Sequence, residues 1–409
     1  MRLSKLAISH YKSLSNIELN EIQPITVLVG CNGVGKSNIT DVLRFLRDAV
    51  SQGLDHAVST RGGIGLIRQY SPSKPFRITF EFGFVDDEHP ETNAEYNLSI
   101  TSLREGDFRV EHESARWGEA TEFYIDDEGV IERQDIKSAS FSRNADGKVR
   151  FTIEGEVINL LSRSEFPPDG LAIGQRFFSD QIGVSGSFGG VELRDFISNI
   201  RFSSVYPNTL RQPAHPDTDP LLKENGANWS SILRSLRRTT RGKQALEQIK
   251  EMMQVVMPQL EDISTQAVGG FIHPRFKIKE RNGRSHYFDP SQISDGTLRI
   301  LGILLALYST PHASLMVIEE PEQTVNPALL AILVDAFREA SERTQLFITS
   351  HSPHLVDFFP VENICVVTMN DGETQISEVR ASQQAAIKDH LLTLEQIMSA
   401  EGLLPEDRQ

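Results

Sequence analysis

The sequence has few of the features that mark secreted or membrane-spanning proteins. Its 409 residues include two cysteines, too few for a disulfide framework, which fits a reducing compartment. The longest apolar runs, such as ILGILLALY, are much shorter than a membrane span. The first residues alternate polar and apolar side chains and have no apolar core typical of a signal peptide. We therefore expect a cytoplasmic protein with no membrane association.

An excess of basic residues is also missing. The formal net charge is −15, so attraction to nucleic acid over the whole surface is not expected, and any DNA or RNA contact requires a local basic patch. No heptad pattern lasts long enough for a long coiled coil, and no internal repeat occurs. The length and ordinary composition predict a globular protein of two or three structural units.

What the sequence does contain is a glycine-rich loop between a short strand pattern, ITVLV, and a helical pattern, SNITDVLRFLRDAV. Residues 30–37, GCNGVGKS, match G-x-x-x-x-G-K-[ST] without a gap. Glycines let main-chain N–H groups approach a phosphate, Lys36 reaches the β- and γ-phosphates, and the Ser37 hydroxyl ligates Mg²⁺. The pattern predicts a nucleoside triphosphate site. Its candidate residues are Gly30, Asn32, Gly33, Gly35, Lys36, Ser37 and Asn38.

A second candidate site is a strand that ends in two acidic residues. SLMVIEEPE, residues 314–322, predicts a buried parallel strand with Glu319 and Glu320 at its carboxyl end, where ligands bind in α/β sheets. Phosphoryl transfer needs a ligand for Mg²⁺, the role assigned to Glu319, and a base that orients the attacking water, the role assigned to Glu320. Adjacent strand residues point to opposite faces, so these roles require a turn, which Pro321 is expected to supply.

Two further polar turns adjoin apolar segments. In ISDG, residues 293–296, Ser294 and Gly296 precede an apolar helix, where exposed N–H groups attract anions; the alternative is a simple N-cap serine. LFITSHSPH is an apolar strand pattern that ends at His351, a candidate donor to a γ-phosphate or to the attacking water. The alternative there is a purely structural histidine. The candidate catalytic residues are Lys36, Glu320 and His351.

In this order, the four segments resemble the ABC-type ATPases, and in detail the stand-alone RecF-like members of the RecF/SMC/OLD branch. The segments that carry the resemblance are ISHYKSLSNIEL, CNGVGKSN, ISDGTLR, IEEPE, TSHSPHLVD and LRQPAHPDTDPLLKENGANWSSIL, so it covers nearly the whole chain. It implies an α/β fold: an ABC-type P-loop ATPase head with a mixed sheet, an antiparallel β subdomain and a mostly helical RecF-like lid insert.

The resemblance also implies ATP and Mg²⁺ as cofactors and a homodimer, or a higher oligomer, that binds ATP head to tail. Each signature serine then caps the γ-phosphate held by the other subunit. The resemblance implies that residues 30–37 correspond to Walker A and residues 294–297 to the signature. It likewise implies that Glu319 and Glu320 correspond to Walker B with its catalytic glutamate, and His351 to the switch histidine.

Two positions depart from the family pattern, and a third fills a family position only as a candidate. Glu319 occupies a position where many ABC proteins have Asp, so its contact with Mg²⁺ is expected to run through water. Asn326 stands where these relatives usually have histidine. Gln69 is the candidate for the Q-loop glutamine.

The patterns divide the chain into four segments. In the first, FRITFEFGF has strict period two, which predicts an antiparallel sheet with one apolar face. That face comprises Phe76, Ile78, Phe80, Phe82 and Phe84. The expected segments are the N-terminal half of the head at 1–154, the helical lid at 155–267, the C-terminal half of the head at 268–385, and a helical tail at 386–409.

Two basic clusters are candidate nucleic-acid contacts, with a solvated face or the docking of an acidic partner as alternatives. The first lies in LRSLRRTTRGK, where four arginines share one helix face if the helix persists. The second lies in a predicted hairpin that turns at Asn282-Gly283. The candidate residues are Arg234, Arg237, Arg238, Arg241 and Lys243 in the first cluster and Arg275, Lys277 and Lys279 in the second.

The expected function is a Mg²⁺-dependent ATPase whose dimerisation acts as a switch on DNA, in repair or in defence against phages and mobile elements. The alternative is an ATP-gated scaffold or sensor that holds a separately encoded effector protein without binding nucleic acid itself. A transporter head is disfavoured by the insert and by the TSHSP turn. An OLD-type nuclease is disfavoured because too few residues follow His351 for the metal-binding nuclease domain.

Overall fold

The computed structural model describes residues 1–69, 77–86, 93–125, 131–153, 156–158, 170–173 and 189–406. The chain forms two units that alternate along the sequence. The first unit takes Met1–Gln23, Cys31–Ile200 and Val366–Ser377, and the second takes Pro24–Gly30, Arg201–Cys365 and Glu378–Gln409. The predicted division into four consecutive segments stays a prediction.

The strands, in chain order, are β1 (Arg2–Tyr11), β2 (Leu14–Leu19), β3 (Ile25–Val29), β4 (Arg77–Val85), β5 (Ala94–Ser102), β6 (Phe108–Ile125), β7 (Ile131–Asn144), β8 (Val149–Ile153), β9 (Glu156–Ile158), β10 (Ile200–Ser203), β11 (Leu260–Val268), β12 (Phe271–Lys279), β13 (Ser285–Phe288), β14 (Leu315–Glu319), β15 (Gln345–Ser350), β16 (Ile364–Asn370) and β17 (Glu373–Glu378).

The α-helices are α1 (Lys36–Gln52), α2 (Leu54–Ser59), α3 (Ile64–Ile67), α4 (Gly189–Ser198), α5 (Pro207–Leu210), α6 (Trp229–Leu236), α7 (Thr240–Val256), α8 (Asp295–Tyr308), α9 (Leu330–Ser341), α10 (Pro353–Val356), α11 (Ala381–Lys388) and α12 (Leu394–Ala400). Short 3₁₀ turns lie at Arg104–Gly106, Pro290–Gln292, Pro327–Leu329 and Val361–Asn363. Among the described residues, no helix is both long enough and apolar enough to span a membrane.

The first unit is built on an antiparallel sheet with strand order β2-β1-β4-β5-β6-β7-β8-β9. The period-two pattern of β4 is confirmed: Ile78, Phe80, Phe82 and Phe84 are all buried, while Phe76 lies outside the described residues. The helix α1 packs on this face, since the Phe45 and Phe80 rings stack with centroids 5.3 Å apart. Other apolar residues of α1, spaced at helical intervals, are also buried: Ile39, Val42, Leu43, Leu46 and Val50.

In the second unit, β10, β14, β15 and β3 lie side by side in that order. The pairs β14–β15 and β15–β3 are parallel, with Glu319 opposite Thr349 and Ser350 opposite Val29. Strands buried on both faces read as continuous apolar runs, which is why LMVI and ITVLV predicted them. Because the strands are parallel and in this register, their carboxyl ends lie at one edge of the sheet.

The region predicted as a helical lid contains α6 and α7, which pack on the antiparallel sheet β11-β12-β13. Trp229 and Phe276 are fully buried there, with ring centroids 6.4 Å apart. The hairpin predicted at Asn282-Gly283 is confirmed: β12 and β13 pair, and Gly283 has φ 81°. The chain thus places a small sheet beside the helices.

The condition under which four arginines would share one helix face, a helix that persists through the segment, is not met. The helix α6 ends at Leu236, and Thr239 begins α7 by accepting a hydrogen bond from the Gly242 N–H at 3.0 Å. An N-cap threonine competes with helix continuation because its side chain satisfies a main-chain donor of the next helix. Arg234 therefore lies on one helix and Arg241 on another.

Candidate active site

The segment 30–37, here called the phosphate loop, joins β3 to α1. Gly33 and Gly35 have φ of 84° and 102°, a region that glycine adopts without a steric cost. Gly35 stands at the N-cap of α1, where no side chain caps the helix and no acidic residue occupies the first turn. The free main-chain N–H groups at the N-terminus of α1 therefore form a potential anion-binding site.

Two side chains of the phosphate loop differ sharply in exposure. Lys36 is only 6% exposed, and its Nζ donates a hydrogen bond to the Cys31 carbonyl at 2.9 Å. The ammonium group is thereby folded back across the loop. Ser37 and Asn32 are exposed. The loop thus keeps its cation inside and leaves the Ser37 side chain accessible.

Asn38 and Gln69 are held by the first unit itself. The Asn38 side-chain amide donates to Ser13 Oγ at 2.7 Å. Gln69 is buried, and its Nε2 donates to Ser15 Oγ at 2.7 Å and to Glu373 Oε1 at 3.0 Å. These bonds fix both amides in place. Their roles toward a nucleotide and as a Q-loop residue stay predictions.

The acidic strand end, defined as Glu319, Glu320, Glu322 and His351, lies at the carboxyl ends of β14 and β15. Glu319 is the last residue of β14, and its Oε2 accepts a hydrogen bond from Ser204 Oγ at 2.9 Å. Glu320 has φ 44°, so the chain turns at Glu320 itself, one residue before the proline expected to turn it. Because of this turn, the carboxylates of Glu319 and Glu320 are not tied to the alternation of a strand.

His351 faces two carboxylates. Its Nδ1 lies 3.4 Å from Glu320 Oε1 and 3.9 Å from Glu322 Oε1. Glu322 Oε1 also accepts from Ser350 Oγ at 2.6 Å, while Oε2 is buried and has no hydrogen-bond partner within the described part of the chain. Glu322 is a residue that sequence reasoning missed, and its only signal was its place in the IEEPE segment.

Arg299 is the second residue that sequence reasoning missed. It is 4% exposed, and it donates to the carbonyls of Val205, Glu319 and Glu320, the last two at 2.9 Å. Burial lowers the pKa of its guanidinium. The arginine therefore holds the peptide groups on both sides of Glu320. The available signal was a single basic residue inside the apolar helix LRILGILLALY.

The turn before α8 is also fixed by side chains. Ser294 is the N-cap of α8 and accepts from the Thr297 N–H at 3.2 Å, so the simple N-cap interpretation holds in this structure. Arg211 donates to the Ile293 carbonyl at 2.8 Å and pairs with Asp295 at 2.5 Å. An additional role of Ser294 toward a phosphate stays a prediction.

Gly296 is required at this turn by close packing. A Cβ at this position would lie 2.6 Å from the Thr324 carbonyl oxygen. Asn326, which stands where relatives usually have histidine, accepts from the Ala328 N–H at 3.0 Å and begins the 3₁₀ turn Pro327–Leu329. The asparagine therefore has a structural role as a cap.

The candidate nucleic-acid residues divide into two groups. Arg237 pairs with Asp262 at 2.7 Å, Lys277 pairs with Glu261 at 2.9 Å, and Arg275 lies over the Tyr287 ring at 4.3 Å. Ion pairs of this kind reduce the charge offered to a phosphate backbone. The remaining candidates have exposed side chains: Arg234, Arg238, Arg241, Lys243 and Lys279.

These features define a class of protein. A phosphate loop between a buried parallel strand and a helix, with acidic residues at the same sheet edge, is the arrangement of the P-loop ATPases. A solved structure with 13% identity, an SMC head bound to the C-winged-helix domain of ScpA, matches 94% of this chain and 99% of its own with a TM-score of 0.50. The fold is therefore that of an ABC-type ATPase head, as the sequence predicted.

The chain belongs to the family described as "AAA domain, putative AbiEii toxin, Type IV TA system", whose model matches residues 25–357. The DNA replication and repair protein RecF of Bifidobacterium adolescentis is 24% identical over 145 residues, which are 36% of this chain and 34% of RecF. The match thus spans about a third of the length of that relative. Together these comparisons place the chain among the RecF/SMC-like ABC-type AAA ATPases, which confirms the predicted family.

Proposed function

We propose that the chain is a Mg²⁺-dependent ATPase that binds ATP at the phosphate loop and hydrolyses it with the acidic strand end. The observation that carries the proposal is the shared sheet edge of β3, β14 and β15. The strand that leads into the phosphate loop ends opposite Ser350, and Glu319 lies opposite Thr349. Membership in an AAA-domain family supports the same activity.

In the proposed reaction, Lys36 and the loop N–H groups bind the β- and γ-phosphates. Ser37 and Glu319 suit Mg²⁺, which takes few protein ligands, and the ion when bound neutralises charge on the phosphate oxygens. Glu320 accepts a hydrogen bond from the attacking water and orients it. His351, 3.4 Å from the Glu320 carboxylate, donates a hydrogen bond to the γ-phosphate.

We further propose that ATP joins two copies of the chain head to tail. Ser294 and Gly296 of one copy then contact the γ-phosphate held by the other. The N-terminus of α8 supports this role, because the helix dipole and the main-chain N–H groups there favour an anion. ATP binding closes the dimer, and hydrolysis reopens it.

The variant Glu320→Gln tests both parts of the proposal. Losing the base is expected to lower turnover by about 100-fold or more while ATP still binds, so the variant accumulates as an ATP-bound dimer. Light scattering with and without ATP measures this. Ser294→Arg is the matched variant: it should bind ATP as a single copy and stay monomeric. A Glu320→Gln protein that remains monomeric with saturating ATP would rule out the head-to-tail dimer.

The switch is proposed to act on DNA, in repair or in defence against mobile elements. RecF is named for DNA replication and repair, and the family description names a toxin of a toxin–antitoxin system. The candidate phosphate contacts are the exposed side chains of Arg234, Arg238, Arg241, Lys243 and Lys279.

A second candidate function is an ATP-gated scaffold that holds a separately encoded effector. It is favoured by the ion pairs that neutralise Arg237 and Lys277, and by the SMC head whose structure was solved with a domain of ScpA. DNA affinity measured at several salt concentrations separates the two functions. A steep salt dependence in the presence of ATP favours the DNA switch, and no binding with or without ATP favours the scaffold.

A further inference from the structure

Thr374, the second residue of β17, is buried next to the phosphate loop, and the proposed reaction assigns it no role. It is 2% exposed. Its Oγ1 donates to the Val34 carbonyl at 2.9 Å, and its N–H donates to the Ser13 carbonyl at 2.8 Å. Val34 lies between the two glycines of the loop that have positive φ. A strand residue 340 positions away in the sequence therefore holds the loop from outside.

The Thr374 hydroxyl belongs to a chain of hydrogen bonds with one direction. A hydroxyl has one hydrogen, and that of Thr374 is used on the Val34 carbonyl, so Thr374 must accept in its 2.6 Å contact with Ser13 Oγ. Ser13 Oγ in turn accepts from the Asn38 amide at 2.7 Å. We call this the Asn38–Ser13–Thr374 relay. Each hydroxyl both accepts and donates, and such bonds strengthen one another.

The relay acts on one particular peptide. In a trans peptide the carbonyl of one residue and the N–H of the next point in opposite directions. Directing the Val34 carbonyl toward Thr374 therefore directs the Gly35 N–H away from it. In a phosphate loop the main-chain N–H groups converge on the bound phosphate, and the carbonyls of the same peptides point away from it.

Gly35 matches this arrangement. A Cβ built on Gly35 would lie 2.0 Å from Thr374 Oγ1, and the residue has φ 102°. The glycine thus permits both the backbone conformation and the close approach of the threonine. Thr374 packs directly on this part of the loop. This packing explains both its close approach to Gly35 and its hydrogen bond to the Val34 carbonyl.

We propose that Thr374 is a positioning residue for triphosphate binding. Through the Asn38–Ser13–Thr374 relay, its hydroxyl fixes the Val34–Gly35 peptide so that the Gly35 N–H faces the phosphate. The inference rests on the proposed function, since it requires the phosphate loop to bind a triphosphate. Thr374 acts through the main chain and contacts no reacting atom, so it contributes to affinity and leaves the chemical step unchanged.

The test replaces the hydroxyl and keeps the shape. Thr374→Val is expected to bind Mg²⁺ with 5′-adenylyl imidodiphosphate about tenfold more weakly by titration calorimetry, since a buried carbonyl loses its donor. Its kcat at saturating ATP should stay within about twofold of wild type. Thr374→Ser retains the hydroxyl and should recover the affinity to within about threefold. Thr101→Val removes a β5 hydroxyl that bonds to Glu111, and it should leave the affinity unchanged.

A double-mutant cycle tests the relay itself. Ser13→Ala interrupts the same chain one step earlier, so the double variant Ser13→Ala/Thr374→Val should bind no more weakly than the weaker single variant. Losses that add would overturn the relay. A Thr374→Val protein with a lower melting temperature but wild-type affinity would show a structural role alone and would also overturn the inference.

The result separates this inference from the proposed function. If the wild-type protein binds no nucleotide, the proposed function fails. If the wild type binds, Lys36→Ala does not, and Thr374→Val binds as tightly as wild type, the phosphate loop stands and only the role of Thr374 is refuted.

Discussion

The phosphate loop and the acidic strand end reach their geometry in opposite ways. The loop uses main-chain groups, and two glycines adopt its unusual dihedral angles without a steric cost. The acidic strand end uses side chains, and a glutamate adopts the positive φ instead. The comparison shows that a positive φ can be adopted for two reasons. The residue can be a glycine, which permits this angle, or the surrounding residues can hold another residue in it.

The cost of the second route is visible at Glu320. A non-glycine residue in the left-handed region costs roughly 1–3 kcal/mol, and it persists only where its surroundings determine it. Here the buried Arg299 donates to the carbonyls of Glu319 and Glu320, and the Glu320 N–H donates to the Thr349 carbonyl at 3.0 Å. The backbone conformation of Glu320 is thus dictated by its neighbours.

The largest expected effect comes from Lys36→Ala in the phosphate loop. Removing the ammonium leaves the triphosphate charge without its cation, so we expect ATP binding or turnover to be abolished. Calorimetry with Mg²⁺ and ATP measures the binding, and phosphate release measures the turnover. If this variant retained full ATPase activity, the phosphate-loop assignment would be wrong.

A smaller effect, confined to turnover, is expected for Arg299→Met. The methionine fills the space but offers no donor to the carbonyls around Glu320, so the turn loosens and kcat should fall by about 10- to 100-fold. ATP affinity should stay within about threefold of wild type, because the phosphate loop is unchanged. Steady-state kinetics and calorimetry on the same preparation give both values.

Arg338→Met on α9 is the control for this variant. Arg338 is also a helical arginine, but it is exposed, and it contacts Asp335 and the Phe358 carbonyl. It should leave kcat and affinity unchanged. Equal losses of affinity and kcat in Arg299→Met would show that the arginine supports the fold as a whole, and the contrast between the two regions would then fail.

The smallest effect concerns the acid stability of α1, which follows the phosphate loop. Burial would raise the pKa of Asp41, but hydrogen bonds from Lys12, Tyr11 and Arg61 outweigh it and hold the pKa below its ordinary value of 3.8. A carboxyl with a lowered folded-state pKa stabilises the fold above the unfolded pKa, and this stabilisation is lost as the pH falls through the folded value.

Asp41→Asn is therefore expected to lower the melting temperature at neutral pH. The difference from wild type should shrink as the pH falls below 3.8, because the carboxyl is then protonated in the unfolded chain, and it should vanish once the pH falls through the lower folded-state pKa. Thermal unfolding followed by circular dichroism between pH 7 and the lowest pH at which the fold persists measures this difference. A constant difference would show that the charge of Asp41 does not anchor the helix.

Much of the fold and of the site could be predicted because the signals are local. The boundaries of β3, the phosphate loop and α1 follow from an apolar run, three glycines and a helical period in consecutive residues. The N-cap serine at the start of α8 is local in the same sense. The helix does not persist through the four arginines because Thr239, within the stretch, is the N-cap of a second helix.

The parts that could not be predicted depend on partners far apart in the sequence. Glu322 was given no role from the sequence, yet its side chain is only 7% exposed and accepts a hydrogen bond from Ser350. Arg299 was given no role from the sequence, yet its guanidinium donates to carbonyls 20 and 21 positions further along the chain and to that of Val205. The pattern of apolar and polar residues does not predict such contacts, because an arginine can be buried or exposed within the same local sequence.

Dihedral preference, apolar period and capping chemistry act between neighbouring residues. The amino-acid sequence alone therefore determined β3, the phosphate loop, α1 and the acidic end of β14. Packing brought Arg299 to the Glu320 turn, Glu322 to His351 and Thr374 to Val34. Burial and long-range hydrogen bonds depend on which surfaces meet in the folded chain, so only the tertiary structure decides them.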